Sequence, residues 1–403
     1  MKRVLFVISS LKKGGAERAL SNITIYFPKE WDIDILVNND EVIDYPFRGN
    51  IITLGISGKT WTNSILFQFK LLIKRITKLR RLKKSGKYQA CISFLDSANI
   101  ANVLSGKQYC RMVLSVRSSL QQSAKLPEYK YLVNPLVKLL YNNADKIVAV
   151  SRGVERELSE NFQLEKSKVI TIDNGYDVSN IQRQGQEELQ DNEKLFFDSR
   201  KVVVTAGRLT NAKGQWHLVR AFTEVVKEVP DAFLVILGSG ELEQYLRQLA
   251  KACEIDDFIY FTGFVSNPYK YMSRSDIFVF PSLYEGFPNA LAEAVCLGLP
   301  CIAADFHTGA REILAPDMVE GDNAVENVME VAYGLLTPVC SGKYYKDMSE
   351  PLEPAENCLA QAIIRMLTDE KKVYEYRKKS VQRRESMKID VVVNKWVELI
   401  EES

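Results

Sequence analysis

Short apolar runs recur along the chain, set apart by longer stretches in which apolar and polar residues mix. Val4 to Ile8, Ile33 to Val37, Ala90 to Phe94, Met112 to Val116, Ile147 to Val150 and Val169 to Ile172 read as strands, with helical or loop segments between them. The stretch Asp177 to Arg200 is then rich in Gln, Asn, Asp and Glu and reads as an interdomain connection. A second alternation begins at Val202-Val203-Val204 and repeats through Phe233 to Leu237, Phe258 to Phe261, Ile277 to Phe280 and Cys301 to Ala303. The pattern predicts an α/β chain of two Rossmann-like, doubly wound halves facing across a cleft, over residues 1–180 and 181–375. Polar inserts at Asp317 to Asn327 and Ser341 to Asn357 read as surface loops. Val373 to Glu402 reads as helix, with Trp396, Leu399 and Ile400 at core-like spacing.

Between Ile65 and Lys84 the period is helical. Phe69, Leu72, Ile73 and Ile76 form one stripe, expected to pack on the first sheet, and Lys70, Lys74, Lys78 and Arg81 lie largely opposite. Net charge is only +2, yet Tyr45 to Leu95 holds eleven Lys or Arg and no Asp or Glu, so the basicity is local. Such a face suits an anionic membrane surface, while sparse aromatic interleaving argues against nucleic acid.

With 46% hydrophobic and 26% charged residues over 403 positions, two globular domains with real cores are expected. Seven scattered cysteines without Cys-x-x-Cys spacing argue against a disulfide framework or a zinc site and point to a reducing cytoplasm. Met1-Lys2-Arg3 before Val4 to Ile8 is a first strand rather than a signal peptide, because the apolar run is too short and Lys12-Lys13-Gly14-Gly15 is no cleavage site. No uncharged run approaches the ~20 residues of a membrane span. The expected location is cytoplasmic, peripheral on the inner face of the cell membrane.

The stretch from Pro281 to Pro300 carries the chemistry. The strand Ile277 to Phe280 runs into a loop broken by Pro281, Gly286 and Pro288; Asn289 suits an N-cap, and Gly298 with Pro300 a helix stop. Glu285 then lies in the loop at the carboxyl end of a strand, and Glu293 about one turn into the next helix. Open α/β sheets take ligands at that edge, and a helix start there favours phosphate. Ionised carboxylates only accept hydrogen bonds, so two of them suit the hydroxyls of a sugar and a ribose on either side of a diphosphate.

At these residues the chain resembles the retaining glycosyltransferases of family 4, whose signature is a Glu, seven residues and a second Glu in a Glu-Gly-Phe-Pro context. The resemblance extends to Gly14-Gly15-Ala16-Glu17-Arg18-Ala19-Leu20, Ala206-Gly207-Arg208-Leu209 with Lys213-Gly214-Gln215, Leu237-Gly238-Ser239-Gly240-Glu241, Phe261-Thr262-Gly263-Phe264-Val265 and Thr308-Gly309-Ala310-Arg311-Glu312-Ile313-Leu314. It implies the GT-B fold, with an acceptor-binding first domain, a donor-binding second domain and a tail, residues 376–403, that crosses back to the first. It also implies that Glu293 takes the ribose hydroxyls and Glu285 the donor sugar, with Gly286, Phe287, Asn289 and Ala290 around them.

Arg208 and Lys213 are expected to hold the diphosphate and offset the charge that grows on the leaving group, joining Glu285 as catalytic residues. Either cation alone would read as a surface residue. Gly14 and Gly15 would let backbone N–H groups approach a phosphate, against the plain reading of a tight turn. Gly238 lacks the third glycine of a dinucleotide fingerprint and is expected to shape the nucleotide site. Phe264 and Val265 follow a strand where the family places the base, although two apolar residues in a row are more often core.

Only His217 and His307 exist, which makes multi-histidine metal or Ser-His-Asp chemistry a poor fit. His217 follows Trp216 on a helix and reads as structural; His307 is a candidate acceptor contact. Many family members carry a first-domain His near the sugar, whereas Leu114-Ser115-Val116-Arg117-Ser118-Ser119 has none, which leaves Arg117 as a candidate acceptor or phosphate contact. Asp32-Ile33-Asp34 matches the metal-binding Asp-x-Asp of the other large glycosyltransferase fold only superficially, since it lies inside a strand; no metal or other cofactor is expected. The expected activity is transfer of a hexose or N-acetylhexosamine from a nucleoside diphosphate, UDP foremost, to a lipid-linked glycan of surface polysaccharide. The alternatives are a catalytically silent GT-B subunit that binds a partner transferase or glycan, and a nucleotide-sugar epimerase.

Overall fold

A computed structural model describes residues 2–12, 14–56, 65–124, 127–306, 309–318, 324–345 and 350–402. The chain divides into two compact units, Met1–Gly175 with Lys388–Ser403, and Tyr176–Met387.

The first unit holds β1 (Lys2–Val7), β2 (Trp31–Val37), β3 (Asn50–Thr53), β4 (Ala90–Phe94), β5 (Arg111–Val116), β6 (Lys146–Ala149) and β7 (Val169–Thr171). They form one parallel sheet in the order β3-β2-β1-β4-β5-β6-β7. Alternate side chains serve opposite faces, as the two-residue period of a strand requires. Val4, Phe6, Ile33, Ile35, Ile92 and Phe94 pack with Leu20 and Ile23 of the helix Gly15–Tyr26, and Leu5, Val7, Leu36 and Cys91 with Leu71, Leu79 and Ala98.

The last helix, Ile389–Glu401, belongs to this unit. Val392, Trp396, Leu399 and Ile400 join the first of those clusters, and Trp396 stacks on Phe94 with ring centroids 5.8 Å apart. The unit boundary falls at 175/176 rather than 180/181, and the returning segment begins at Lys388 rather than 376. Residues 376–387 stay in the second unit: Tyr376 of the helix Glu370–Arg383 packs in the second core, and a short 3₁₀ turn, Arg384–Met387, breaks the tail where one continuous helix was expected.

The second unit holds β8 (Lys201–Ala206), β9 (Ala232–Leu237), β10 (Ile259–Gly263), β11 (Ile277–Phe280), β12 (Cys301–Ala304), β13 (Met329–Val331) and β14 (Gly334–Thr337) in the order β10-β9-β8-β11-β12-β14-β13. Only β13 runs antiparallel. The core gathers Val203, Leu234, Ile236, Val279 and Ile302 of the strands with Trp216 and Phe222 of the helix Gln215–Glu228.

Two polar stretches differ from expectation. Asp177 to Arg200 is folded, not a linker, and lies within the second unit. Asp177 caps the helix Val178–Gly185 by accepting from the Asn180 N–H at 2.9 Å, and buried Glu193 of the helix Asp191–Asp198 accepts from Tyr271 at 2.5 Å. The insert from Ser341 is not wholly surface either. Tyr345 is buried, Tyr344 stacks on Trp216 at 4.7 Å, and from Pro354 the chain is already helix.

Candidate active site

In the second sheet the build-up of strands reverses between β8 and β11, and the carboxyl edge of such a pair is where open α/β sheets take ligands. Both loops that leave this edge carry a charge. After β8, a 3₁₀ turn over Asn211–Lys213 ends on Gly214, whose φ of +59° is left-handed and which starts the helix Gln215–Glu228. A Cβ there would stand 2.5 Å from the Pro281 carbonyl oxygen, so only glycine lets the two loops touch. The Leu283 N–H donates to the Ala212 carbonyl at 2.9 Å and completes the join.

This junction brings Lys213 and Glu285 together. The Lys213 ammonium pairs with Glu285 Oε1, both side chains are mostly buried, and the ammonium lies 5.2 Å from the centre of the Phe280 ring. Ser282 donates its hydroxyl to the same carboxylate oxygen at 3.1 Å. Ser282 escaped the sequence reading, although a hydroxyl three residues before Glu285 in a turn was a usable signal. Arg208 sits at the end of the same β8 edge with an exposed side chain, while its carbonyl accepts from Gln215 Nε2 at 3.1 Å.

The helix after the Glu285 loop spans Asn289–Cys296, so Pro288 is the cap and Asn289 the first helical residue. Asn289 instead accepts from the Tyr176 hydroxyl at 2.6 Å, which ties this helix to the start of the second unit. The helix stops as expected at Gly298, with φ +83°. Glu293 lies on it at 5% exposure, and Phe287 is buried, while Gly286 and Ala290 are half-buried.

Gly238 and its neighbour Gly240 have a backbone explanation. Gly238, at φ +132°, abuts the Gly207 carbonyl so closely that no Cβ fits, and its N–H donates to Gly263 O at 3.0 Å; Gly240 abuts Leu209 in the same way. Both shape the β8 and β9 loops. Val265 is half-buried, but Phe264 is 62% exposed, so the core reading fails for it.

His217 is structural. Its Nε2 accepts from the Gly342 N–H at 3.2 Å, so Nδ1 carries the proton, donated to Glu356 at 2.8 Å; Glu356 also accepts from buried Arg220 at 3.0 Å. Cys340 and Glu353 lie close enough to His217 to suggest a metal group. Burial with Glu353 and Glu356 nearby pushes the Cys340 thiol up, against the thiolate a metal takes, and the histidine nitrogens are already bonded. The cluster instead latches the Cys340–Tyr345 loop onto the helix Gln215–Glu228.

In the first unit, Gly14 precedes the helix Gly15–Tyr26 in extended conformation and Gly15 is exposed. Arg117, just past β5, donates to Asn174 and Ser115 and lies 5.7 Å from the Phe94 ring centre. Its loop is held by Glu157, which accepts from the Ser119 hydroxyl at 2.6 Å and the Gln121 N–H at 2.8 Å; burial raises this carboxyl above its usual range. Glu157 was missed, though it shares a helix face with Val154 and Leu158. Asp34 spends its oxygens on Arg3, Tyr88 and Asn50, and Asp32 is exposed, so the Asp-x-Asp is part of the sheet. His307 lies outside the described residues.

On the helix Ile65–Gly86 the buried side chains among those described are Leu71, Arg75, Leu79 and Lys83, with Gly86 buried at its end, whereas Phe69 and Ile73, expected in the core, are 58% and 46% exposed. Leu72 and Ile76 pack as expected against the first unit.

The family description "Glycosyltransferase Family 4" matches residues 13–180, and "Glycosyl transferases group 1" matches residues 186–325. An uncharacterised glycosyltransferase of Methanocaldococcus jannaschii is 32% identical over 84% of this chain and 85% of its own length. The N-acetylgalactosamine-N,N'-diacetylbacillosaminyl-diphospho-undecaprenol 4-alpha-N-acetylgalactosaminyltransferase of Campylobacter jejuni is 30% identical over 82% of this chain and 88% of its own. An Anabaena protein solved in complex with UDP-glucose shares the fold, with a TM-score of 0.72 and 18% identity over 99% of each chain. With two Rossmann-like sheets of this order and identity sustained over most of its length, the chain belongs to the family 4, group 1 glycosyltransferases of GT-B fold.

Proposed function

We propose that the protein is a retaining, metal-independent transferase that moves a hexose or N-acetylhexosamine from a nucleoside diphosphate sugar, with UDP as nucleotide, to a lipid-linked glycan in surface polysaccharide synthesis. The observation that carries this reading is the Lys213–Glu285 pair at the carboxyl edge between β8 and β11. A diphosphate would draw the Lys213 ammonium from Glu285 and free that carboxylate for the donor sugar's hydroxyls. Arg208, exposed beside it, adds a second cation. Together they stabilise the charge that grows on the leaving diphosphate, the role a divalent ion serves elsewhere. Glu293 takes the ribose. As the bond from the sugar C1 to the phosphate oxygen breaks, the acceptor oxygen bonds C1 on the same face and its proton passes to the departing phosphate oxygen, so no protein base is required.

Support for the acceptor comes from the Campylobacter relative, whose name specifies a diphospho-undecaprenol-linked glycan. Exposed Leu66, Phe69 and Ile73 beside exposed Lys70 and Lys74 suit an anionic membrane surface, and no helix among the described residues is long and apolar enough to cross one. Cosedimentation with vesicles should rise with anionic lipid content; indifference to it removes the membrane element. The decisive experiment is nucleotide release by purified protein from UDP-, GDP- and ADP-sugars. Release from one donor, lost in Glu293→Ala and Lys213→Ala, is expected; no nucleotide binding at all would overturn the reading.

A further inference from the structure

Arg75 stands in the middle of the basic helix Ile65–Gly86, yet it is 3% exposed. It donates to Asn38 Oδ1 at 2.7 Å, to Ser97 Oγ at 3.1 Å and to Ser9 Oγ at 3.3 Å. Among the described residues no carboxylate pairs with it, and burial pushes its guanidinium down to about 10. Other buried cations are accounted for. Arg220 faces Glu356, and Lys83 donates to the carbonyls of Asn102 and Gly106 at the C-terminal end of the helix Asp96–Leu104, where the helix dipole favours a cation. Arg75 has neither counter-charge nor helix end, and a cation taken from water on such terms opposes folding.

Its position is informative. Ser9 lies just past β1, Asn38 directly past β2 and Ser97 just past β4. In the order β3-β2-β1-β4-β5 the build-up reverses between β1 and β4, so Arg75 underlies the ligand edge of the first sheet, the counterpart within that unit of the β8/β11 edge in the second. A guanidinium only donates, so both serine oxygens accept from it and their hydroxyl protons turn away from it. The two serines also hydrogen-bond each other at 3.1 Å, one hydroxyl donating and the other left free; Ser97 is exposed and Ser9 half-buried. An oxyanion that displaces the bond between the two serines meets two hydroxyl donors backed by one buried positive charge.

We propose that Ser9 and Ser97, held and polarised by Arg75, form a subsite that binds a phosphate-class oxyanion of the glycan acceptor. The proposal rests on the transferase reading above and adds a chemical demand to it: the acceptor carries a phosphate-class anion. Ser9 and Ser97 are the contacts, and Arg75 is a positioning residue.

The test compares kcat/KM of the full-length protein for one acceptor sugar carried on a short prenyl diphosphate, as a 6-phosphorylated alkyl glycoside and as the neutral alkyl glycoside. In Ser97→Ala and Arg75→Lys the preference for a phosphorylated over the neutral acceptor should fall about tenfold, through KM. A fall confined to the prenyl diphosphate assigns the phosphate to the carrier, and one confined to the phosphosugar assigns it to the glycan; equal losses on all three acceptors overturn the proposal. Thermal unfolding without ligand checks that each variant is folded. A second arm measures stabilisation by inorganic pyrophosphate in a Lys213→Ala background. That stabilisation should drop on adding Ser97→Ala, and an unchanged shift overturns the subsite. This arm decides the subsite even if no sugar nucleotide is turned over, an outcome that would defeat the transferase reading alone.

Discussion

Lys213→Met removes the ammonium but keeps an unbranched side chain of similar length where the lysine stem passes Gly207 and Phe280. Two effects follow. Glu285 keeps the Ser282 hydroxyl as a partner but loses its ion pair, and because both side chains are mostly buried the expected loss of stability is about 1–3 kcal/mol. Catalysis should suffer more, since the cation is aimed at charge that develops only as the diphosphate leaves. Removing one such preorganised group lowers kcat about 10²–10³-fold, or roughly 2.7–4 kcal/mol. The assay is initial-rate nucleotide release at saturating donor, paired with urea unfolding to separate folded fraction from rate. Glu285→Gln combined with Lys213→Met should lose less than the two single effects summed, because the residues contact each other. A folded Lys213→Met protein whose kcat lies within about threefold of the parent would refute the leaving-group role.

Gly214→Ala should destabilise by about 1–2 kcal/mol from its left-handed backbone, with roughly 1–3 kcal/mol more from the clash with the Pro281 carbonyl; an unchanged urea midpoint would show that the two loops are not locked together. Asp96 is buried beside Tyr141, and desolvation raises its carboxyl above the usual range, outweighing the hydrogen bonds that pull the other way. A carboxyl raised on folding contributes most at low pH, below its unfolded value near 4, and that contribution is lost as pH climbs through the folded value. Asp96→Asn should therefore flatten the fall in stability above pH 4, read by urea unfolding across pH 4.5–7.5, whereas an identical slope would refute the assignment.

The strands of both sheets were legible because parallel strands buried on two faces are unbroken apolar runs, as in Val4 to Ile8 or Ile277 to Phe280. β3 was not, since Asn50-Ile51-Ile52-Thr53 is a short, half-buried edge, and neither were β13 and β14, three and four residues long, the second led by Gly334. Polarity misled twice in opposite ways. Asp177 to Arg200 looked like a linker because Asp177, which caps a helix, and Glu193, which is buried against Tyr271, read in sequence like the exposed carboxylates around them. In the basic helix, Arg75 and Lys83 hold inward positions that a hydrophobic stripe assigns to apolar residues, which turned the expected buried face by about one residue. As for the site, the placement of Glu285 and Glu293 followed from one strand, one loop and one helix. The meeting of Lys213 with Glu285 follows from the pairing of β8 with β11, which local pattern does not encode.

The return of the chain to its first unit has a consequence for biosynthesis. Trp396 fills the face of the first sheet beside Phe94, but the whole second unit must be synthesised between that sheet and its final helix. At about 5–20 residues per second this leaves the apolar face open for roughly 10–40 s on each ribosome. The nascent first half thus exposes apolar surface for that time whatever its final stability, and deleting the helix Ile389–Glu401 leaves a complete second unit beside a first unit whose core lacks Trp396.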